Sequence, residues 1–324
     1  MEDIMLIRRL LVAALLFFSC YSWSQTQPSA TKKTADVDYL QEAAKVSVFV
    51  YDSSPKPCAS LMPSVRVVPL GSAFIIGIAD STSPQDALRS WEFLITAEHV
   101  VHGKSDIVLR FNRLRGRGKV CMDLHLERSG PNQNLFAPSD DSTDVVAIFL
   151  AKTPDDAEML SISYSWITDR DDLKKYELKV GTGVFTVGYL LGYAGESRNY
   201  PVTKFGKISV LTDEKWLLSE RGSYENAYIV ELQNVPGLSG APLLAYGQEF
   251  KMDPLRFRSI PPLLIGVVKD LLWVEDAKTK TRISQGLAAI EPGYKVKALM
   301  DEIVARIKAG GGNPNLDFNR IPMP

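Results

Sequence analysis

Short apolar runs, separated by Gly, Pro, Asn and Asp, occupy the chain from residue 46 to residue 290. The runs in the first half are 46–51, 64–68, 72–78, 92–96, 106–111, 119–126 and 145–150. Those in the second half are 184–190, 203–211, 228–232, 243–245, 263–268, 271–274 and 284–290. Many short strands with turn signals between them are typical of an all-β sandwich or barrel. The polar segment 153–172 interrupts the series, and we interpret it as a connector between two β lobes.

A helical pattern lies near the C-terminus. Apolar side chains recur there at the spacing of one helix face, at Val296, Leu299, Met300, Ile303, Val304 and Ile307. This spacing predicts an amphipathic helix over residues 293–308 that lies against the β body. Three glycines follow at 310–312, and the tail from 309 to 324 is expected to be flexible.

The first 24 residues have the pattern of an export signal. Arg8 and Arg9 precede the apolar run 10–18, and small residues follow at Ser22 and Ser24. The apolar run is short for a membrane span, although an uncleaved anchor is the alternative interpretation. Residues 25–44 are interpreted as a polar leader and a short helix. The segment therefore predicts an exported protein, periplasmic or secreted, with no stable membrane span once the signal is removed.

Composition and charge narrow the class of protein. The chain has 324 residues, of which 45% are hydrophobic and 23% charged, so it is globular and long enough for one large domain or two lobes. Its net charge of -1 gives no electrostatic argument for nucleic-acid binding. Removal of the signal would leave Cys58 and Cys121. An oxidising compartment permits a disulfide between them, and two buried thiols are the alternative.

Ser239 is the candidate nucleophile. It lies in the segment 236–242, Pro-Gly-Leu-Ser-Gly-Ala-Pro, between two apolar runs. A serine hydroxyl needs a base to take its proton, and the oxyanion that it creates needs N–H groups directed at it. Gly237 allows its own N–H and that of Ser239 to converge on one point. A Gly-x-Ser-Gly segment by itself also fits an ordinary turn.

All three histidines, His99, His102 and His125, precede Ser239 in the chain. The α/β-hydrolases need a later histidine and a Gly-x-Ser-x-Gly turn, whereas the fifth position here is Ala241, so that class is excluded. His99 follows an apolar strand, which would give a catalytic base a fixed position. His102 and His125 are interpreted as surface or core residues.

Asp144 is the candidate third member of the site, at the start of the apolar run 145–150. A carboxylate there would hold the imidazole in the tautomer that accepts the serine proton. A metal site that uses His99 and His102 with a carboxylate is the rival interpretation. The chain has no His-Glu-x-x-His pattern, and a histidine pair three residues apart is common by chance. Neither a metal nor an organic cofactor is therefore expected.

These residues resemble the trypsin-like serine peptidases of the chymotrypsin fold, especially the bacterial secreted branch that includes the HtrA proteases. The matching segments are 71–76 (Gly-Ser-Ala-Phe-Ile-Ile), 95–100 (Ile-Thr-Ala-Glu-His-Val), 144–147 (Asp-Val-Val-Ala), 185–189 (Phe-Thr-Val-Gly-Tyr), 206–209 (Gly-Lys-Ile-Ser) and 234–243 (Asn-Val-Pro-Gly-Leu-Ser-Gly-Ala-Pro-Leu). They follow the family order of His, then Asp, then Ser. HtrA proteases carry PDZ domains after the protease, and 240–324 is too short for one beyond the protease itself, so the resemblance is to a form without a PDZ domain.

The resemblance implies an all-β fold of two six-stranded antiparallel β-barrels with a C-terminal helix. The barrels would span 45–152 and 179–292, with a connector at 153–178 and the active site in the cleft between them. By the same resemblance, Ser239 attacks the scissile carbonyl, His99 acts as general base and then acid, and Asp144 orients His99. The N–H groups of Gly237 and Ser239 would form the oxyanion hole.

Five positions bear on catalysis and specificity in this comparison. Glu98 replaces the small residue usual before the histidine, and its charge would either raise the basicity of His99 or face solvent. Leu238 replaces the usual Asp or Asn, and Ala241 replaces the usual second glycine. Gln233 and Gly266 would line the substrate pocket, and Gln233 is not the acidic residue that cleavage after Lys or Arg requires.

We therefore expect an exported serine endopeptidase that hydrolyses peptide bonds through an acyl-enzyme intermediate. Its partners are expected to be peptide or protein substrates and not nucleic acid. The alternative is a catalytically impaired peptide-binding module of the same fold, motivated by the residues at positions 98 and 238.

Overall fold

The computed structural model describes residues 43–54, 58, 68–79, 90–116, 118–140, 142–193, 195–218, 223–233, 236–245 and 263–309. All of them belong to one unit that begins at Ala43. The predicted signal at 1–24, nearly all of the leader at 25–44 and the tail beyond residue 309 lie outside these residues. The predicted strand at 64–68 lies outside them too, except for its last residue.

Nine strands in the first half of the chain form one sheet. They are β1 Ser47–Asp52, β2 Gly71–Ala79, β3 Ser90–Thr96, β4 Asp106–Arg113, β5 Lys119–His125, β6 Leu135–Phe136, β7 Val146–Leu150, β8 Ala157–Glu158 and β9 Ser161–Ser163. The order is β5-β4-β1-β2-β3-β7-β6, with β8 beside β4 and β9 parallel to β2. A single helical turn, α1 Glu98–Val101, follows β3. We call this part of the molecule the first sheet.

The second half contains a closed six-stranded barrel. Its strands and their neighbours are β10 Gly183–Gly188, β11 Val202–Val210, β12 Lys215–Leu218, β13 Ser223–Asn226, β14 Tyr228–Leu232, β15 Pro242–Ala245, β16 Leu263–Glu275 and β17 Arg282–Pro292. The barrel closes in the order β10-β11-β14-β17-β16-β15, and β12 and β13 form a separate hairpin. Between the first sheet and the barrel lie a 3₁₀ turn, Tyr164–Trp166, and the helix α2 Arg170–Lys175.

Only one of the two barrels expected from the sequence is closed among the described residues. Bulges help the second one to curve, because an extra residue bends a strand and increases its twist. They fall between Ile208 and Val210, between Leu243 and Leu244, and between Val268 and Asp270. The described strands of the first half form an open sheet, so closure of a first barrel stays a prediction.

Strand β16 differs from its sequence prediction. The pattern separates the apolar runs 263–268 and 271–274 at the polar pair Lys269 and Asp270. The structure instead has one strand of 13 residues, with a bulge at this pair. Lys269 is fully buried, and its ammonium contacts Glu291 of the neighbouring strand, so an ion pair allows a charged residue inside the strand.

Each half has its own apolar core. Val48, Ile75, Leu94 and Ile148 are among the buried side chains of the first sheet. The barrel core includes the side chains of Val184, Ile208, Val230, Ile265 and Ile290. A smaller group of aromatic and apolar side chains, Phe49, Tyr51, Val108 and Tyr189, joins the first sheet to the segment after β10. The two halves therefore share packed side chains as well as a chain connection.

The C-terminal helix α3 runs from Gly293 to Lys308. The side chains of Val296, Leu299, Met300 and Ile303 are buried, and the helix packs against β16 and β17. This face covers one side of the barrel wall. None of the helices in the described part of the chain is long and apolar enough to cross a bilayer.

A disulfide joins Cys58 to Cys121 on β5. The sequence left open whether these cysteines pair, and the structure pairs them. The bond ties residue 58, which precedes β2, to the first sheet.

Loss of this disulfide is expected to destabilise the protein. The two cysteines are 63 residues apart in the chain. A loop of that length restricts the unfolded chain enough for the bond to contribute about 4 kcal/mol to the free energy of unfolding. Denaturant unfolding with and without dithiothreitol measures this difference. The Cys58→Ser/Cys121→Ser variant serves as the control, because its stability must not respond to the reductant; equal stability of the oxidised and reduced wild-type protein would contradict the prediction.

Candidate active site

Ser239 lies in the tight turn 236–241 between β14 and β15. Gly237 and Gly240 on either side of it have φ angles of 103° and 84°, in the left-handed region that glycine adopts without strain. The N–H of Ala241 donates to the Leu238 carbonyl at 2.8 Å, and the N–H of Gly240 donates to the Val268 carbonyl at 2.8 Å. The turn is therefore closed on itself and attached to β16.

Gly240 also brings this turn against the first sheet. A Cβ atom at Gly240 would lie 2.1 Å from the Ser72 carbonyl oxygen and 2.3 Å from Oγ1 of Thr96. Ser72 is on β2, and Thr96 is the last residue of β3, three positions before His99. The absence of a side chain at Gly240 thus allows the serine turn to pack against the strand that leads to the candidate base.

His99 and Asp144 meet because β3 and β7 are antiparallel neighbours. Thr96 at the end of β3 pairs with Val146 at the start of β7, which places the residues just beyond them side by side. Nδ1 of His99 lies 2.7 Å from Oδ2 of Asp144, and the backbone N–H of His99 donates to Oδ1 of Asp144 at 3.0 Å. The Asp144 side chain is 4% exposed and that of His99 is 35% exposed. Such a carboxylate favours a proton on Nδ1, which leaves Nε2 as the basic nitrogen.

The hydroxyl of Ser239 has a different partner. Its Oγ donates to the Lys269 carbonyl at 3.4 Å. Within the described residues, no hydrogen bond joins this Oγ to Nε2 of His99. Such bonds are often long in proteins without a bound substrate and shorten in the complex. The structure therefore brings two of the three predicted residues into contact and places the third on the adjoining turn.

Two backbone N–H groups beside Ser239 are available as donors. The Pro236 carbonyl accepts a hydrogen bond from the Leu191 N–H at 2.9 Å, which directs the N–H of Gly237 to the opposite side of the same trans peptide. In the described part of the chain, neither the N–H of Gly237 nor that of Ser239 donates to another group. Donors that flank a nucleophile in this way suit an oxyanion.

Ser72 of β2 connects the Ser239 turn to the segment after β10. The sequence offers no reason to select this residue. Its Oγ accepts a hydrogen bond from the Tyr189 N–H at 2.7 Å and donates to the Gly237 carbonyl at 2.8 Å. Its backbone N–H donates to the Ser239 carbonyl at 2.9 Å. Ser72 is fully buried. In the sequence, Ser72 is only a hydroxyl inside an apolar strand. Such a hydroxyl is expected to have a hydrogen-bond partner when it is buried, but the sequence does not say which one.

The residues that depart from the family pattern have definite places. The carboxylate of Glu98 contacts Nδ1 of His102 at 3.1 Å and Nη2 of Arg128 at 3.4 Å. Glu98 is therefore hydrogen-bonded to His102 and forms an ion pair with Arg128. Leu238 and Ala241 are fully buried in the barrel core. An apolar residue at position 238 is therefore part of the core packing of the turn.

The structure also gives the positions of the two predicted pocket residues and of His125. Gln233 is exposed just after β14. Gly266 is in the barrel wall, where a Cβ atom would lie 2.3 Å from the Glu291 carbonyl oxygen. Their part in a substrate pocket stays a prediction. His125 is exposed at the end of β5, and its hydrogen bond to Asp106 raises the pKa of His125.

Arg110 of β4 fixes the segment that supplies the Leu191 N–H. This guanidinium is buried, and its Nε donates to Oδ1 of Asn199 at 2.7 Å while Nη2 donates to the Gly195 carbonyl at 2.7 Å. Burial raises the pKa of Tyr51 to about 12, so the ring beneath Arg110 stays a neutral phenol. A cation within the first sheet thus holds the loop between β10 and β11.

Behind Asp144 lies a buried ion pair that the sequence interpretation missed. Nζ of Lys269 is 3.2 Å from Oε2 of Glu291, and both side chains are fully buried. The same Oε2 accepts the backbone N–H of Asp144 at 2.9 Å. The two charged residues come from the barrel, whereas Asp144 belongs to the first sheet.

Comparison with known proteins gives structural neighbours only. No protein-family model matches the sequence, and no curated protein matches it. The MamO protease domain from Magnetospirillum magneticum, in its apo form, is similar over 80% of this chain and 97% of its own, with 12% identity and a TM-score of 0.46. The HtrA-type protease AlgW with decapeptide is similar over 85% of this chain and 68% of its own, with 18% identity and a TM-score of 0.45.

A third neighbour is the Rv3671c protease from M. tuberculosis in an inactive form. It is similar over 86% of this chain and 96% of its own, with 14% identity and a TM-score of 0.43. These similarities are low, and the function of a fold is set by the residues at its site. The geometry around Ser239, His99 and Asp144 is therefore the basis for a functional conclusion.

Proposed function

We propose that this protein is a serine endopeptidase that cleaves peptide bonds through an acyl-enzyme. The observation that carries the proposal is the packing of the Ser239 turn against the strand leading to the His99–Asp144 pair. A nucleophile, a base and an orienting carboxylate in this arrangement, with N–H donors next to the nucleophile, are the parts that acyl transfer requires.

The reaction proceeds in two stages. Ser239 Oγ attacks the carbonyl carbon of the scissile peptide while its proton passes to Nε2 of His99, and the N–H groups of Gly237 and Ser239 bind the oxyanion. His99 then gives that proton to the leaving amine, and an ester to Ser239 remains. His99 then takes a proton from water as the water oxygen attacks this ester, and it returns the proton to Ser239 Oγ as the bond to serine breaks and the acid is released. No cofactor enters either stage.

Substrate binding has to redirect the Ser239 hydroxyl. It now donates to the Lys269 carbonyl at the long distance of 3.4 Å. The proposed reaction requires a rotation about the Cα–Cβ bond that releases this weak contact and turns the hydroxyl toward His99, and the staggered rotamers of serine are close enough in energy to allow it. A peptide backbone that itself donates to the Lys269 carbonyl would favour that rotation.

The proposal extends to location and substrate. The predicted signal at 1–24 and the disulfide between Cys58 and Cys121 both suit an oxidising compartment outside the cytoplasm. The substrate would be a peptide or protein. Gln233, if it lines the pocket, carries no charge to select Lys or Arg.

A second candidate function is peptide binding without cleavage. The contact of Ser239 Oγ with Lys269 in place of His99 favours it, because a hydroxyl held on a carbonyl is not activated. Both functions would use the surface around Ser239, and they differ in whether Ser239 becomes acylated.

Reaction with a fluorophosphonate probe separates these functions. The proposed peptidase is expected to carry the phosphonyl adduct on the peptide that contains Ser239, as mapped by mass spectrometry. Ser239→Ala is expected to remove the adduct, and Ser284→Ala, at an exposed serine of the same barrel, is expected to keep it. An adduct that persists on Ser239→Ala means that the nucleophile is wrongly assigned. Peptide binding without an adduct on the wild-type protein would establish the second candidate.

A further inference from the structure

The buried charges behind Asp144 form a chain of contacts across the barrel. Lys295 of α3 places Nζ 2.5 Å from Oε1 of Glu291. On the other side, Oε2 of Glu291 contacts Nζ of Lys269, which also donates to the Ser142 carbonyl at 3.3 Å. This series of contacts therefore runs from Lys295 at the edge of α3, whose side chain is 12% exposed, to the backbone that leads into Asp144.

Two members of this series of contacts, Glu291 and Lys269, touch the candidate catalytic residues. Glu291 accepts the backbone N–H of Asp144, 147 residues earlier in the sequence. Lys269 accepts the hydroxyl of Ser239 on its carbonyl oxygen, and its side chain turns toward the segment before Asp144. One residue of the barrel thus contacts the nucleophile with its backbone and the neighbourhood of the acid with its side chain.

Stability alone is a poor explanation for such a pair. Removal of two charges from water costs more than their attraction returns in many buried pairs, and apolar replacements often leave stability unchanged or improved. A buried charge close to a titrating imidazole has a second effect, because it shifts the equilibrium between imidazole and imidazolium. His99 is bonded to Asp144 and so lies next to this cluster.

We propose that Lys269 and Glu291 are positioning residues that fix Asp144 against the barrel and hold the charge around His99 in balance. The inference rests on the proposed function, since a base matters only to a reaction. Glu291 anchors the backbone of Asp144, and Lys269 offsets the negative charge that Glu291 brings. With both present, the charges that these two residues bring next to Asp144 cancel.

Opposite charges give opposite predictions for the pKa of His99. Lys269→Met removes a positive charge, which favours the imidazolium and raises the pKa. Glu291→Gln removes a negative charge, which favours the neutral ring and lowers the pKa. Each shift is expected to be about one pH unit. The double variant restores the charge balance, so its pKa is expected to return to the wild-type value. A role in packing alone predicts no reversal of sign.

The other ionisable groups near this cluster stay constant in these variants. Around His99 they are Asp144, Glu98, His102 and Arg128, and around Glu291 they are Lys295 and Asp140, whose carboxylate interacts electrostatically with Lys295. Asp270 follows Lys269 on β16. Any difference between the single variants therefore reports the substituted charge.

The experiment is an NMR titration of the imidazole signals in the full-length protein. The chain has three histidines, so His102→Gln and His125→Gln assign the His99 signal by elimination. Opposite shifts for Lys269→Met and Glu291→Gln, with recovery in the double variant, support the proposal. Shifts of the same sign, or no shift, overturn it.

Lys295→Met keeps the test decisive if a core variant does not fold. Lys295 is close to the surface and contacts Glu291, so its removal is expected to raise the pKa of His99 by a smaller amount. Lys297→Met on the same helix is the matched control, because Lys297 contacts Asp301 and not Glu291. Equal pKa values in these two variants overturn the proposal.

The titration needs no turnover, so it is independent of the test of function. A protein without fluorophosphonate labelling that still shows the opposite shifts would refute the peptidase and keep the charge cluster. A protein that is labelled at Ser239 but does not show these pKa shifts would support the peptidase and refute the proposed role of Lys269 and Glu291. In an active protein, the acid limb of the kcat/KM profile is expected to move with the pKa of His99 in each variant.

Discussion

Replacement of Ser239 or His99 by alanine is expected to lower kcat/KM for a cleaved peptide by about 10⁶-fold. The double variant is expected to lose no more than either single one, because base and nucleophile act as one unit. Without the hydroxyl there is no acyl-enzyme, and without the imidazole the hydroxyl keeps its proton. Steady-state kinetics on one peptide substrate, with active-site variants purified from a host without related peptidases, measures these losses.

Asp144→Asn belongs to the same measurement and is expected to cost about 10⁴-fold. An amide that donates to Nδ1 of His99 would force the proton onto Nε2, which then cannot accept from Ser239. His125→Ala is the matched control, since His125 is exposed on β5 and bonded to Asp106.

The double variant of Ser239 and His99 tests whether the two residues act as one unit. If the losses of the two single variants multiply in the double variant, the residues act separately.

Gly240→Ala is expected to have the largest effect on stability, lowering the free energy of unfolding by about 3 kcal/mol or more. Two penalties combine at this position. The φ angle of 84° is strained for any residue with a Cβ atom, and that atom would lie 2.1 Å from the Ser72 carbonyl oxygen. Denaturant unfolding gives the loss of stability, and fluorophosphonate labelling shows whether the displaced turn still presents Ser239.

Gly130→Ala isolates the contribution of the close approach. Its φ angle of 89° is nearly the same, but nothing lies within 4 Å of the position of the new Cβ atom. The expected cost is about 1 kcal/mol, from backbone strain alone. Equal losses in the two alanine variants would mean that the packing of Gly240 against β2 and β3 does not stabilise the fold.

The sequence predicted the β architecture and the candidate residues because these leave local signals. Short apolar runs between turn residues indicated strands, and glycines around Ser239 indicated a tight turn. The sequence shows that His99 and Asp144 each lie next to an apolar run. Their contact follows from the antiparallel pairing of β3 with β7 in the structure. Their catalytic roles stay predictions.

Residues whose partners are distant in the chain left no such signal. Lys269 interrupts an apolar run, and its polarity marked a strand end, although Glu291 compensates its charge inside the barrel. Ser72 is one hydroxyl in a strand, and its partners come from two other segments. Closure of a barrel is likewise a property of register and bulges. Apolar runs alone therefore did not distinguish the closed barrel of the second half from the first sheet, whose described strands do not close.

The hydroxyl of Ser72 also constrains how this protein can evolve. It links Tyr189 and Gly237, which are 117 and 165 residues further along the chain, at the boundary between the two halves. A recombination event that exchanged one half for that of a distant homologue would have to preserve this geometry on both sides. The halves are thus expected to be inherited together, with substitutions at the boundary accepted in pairs, while hairpins far from it diverge independently.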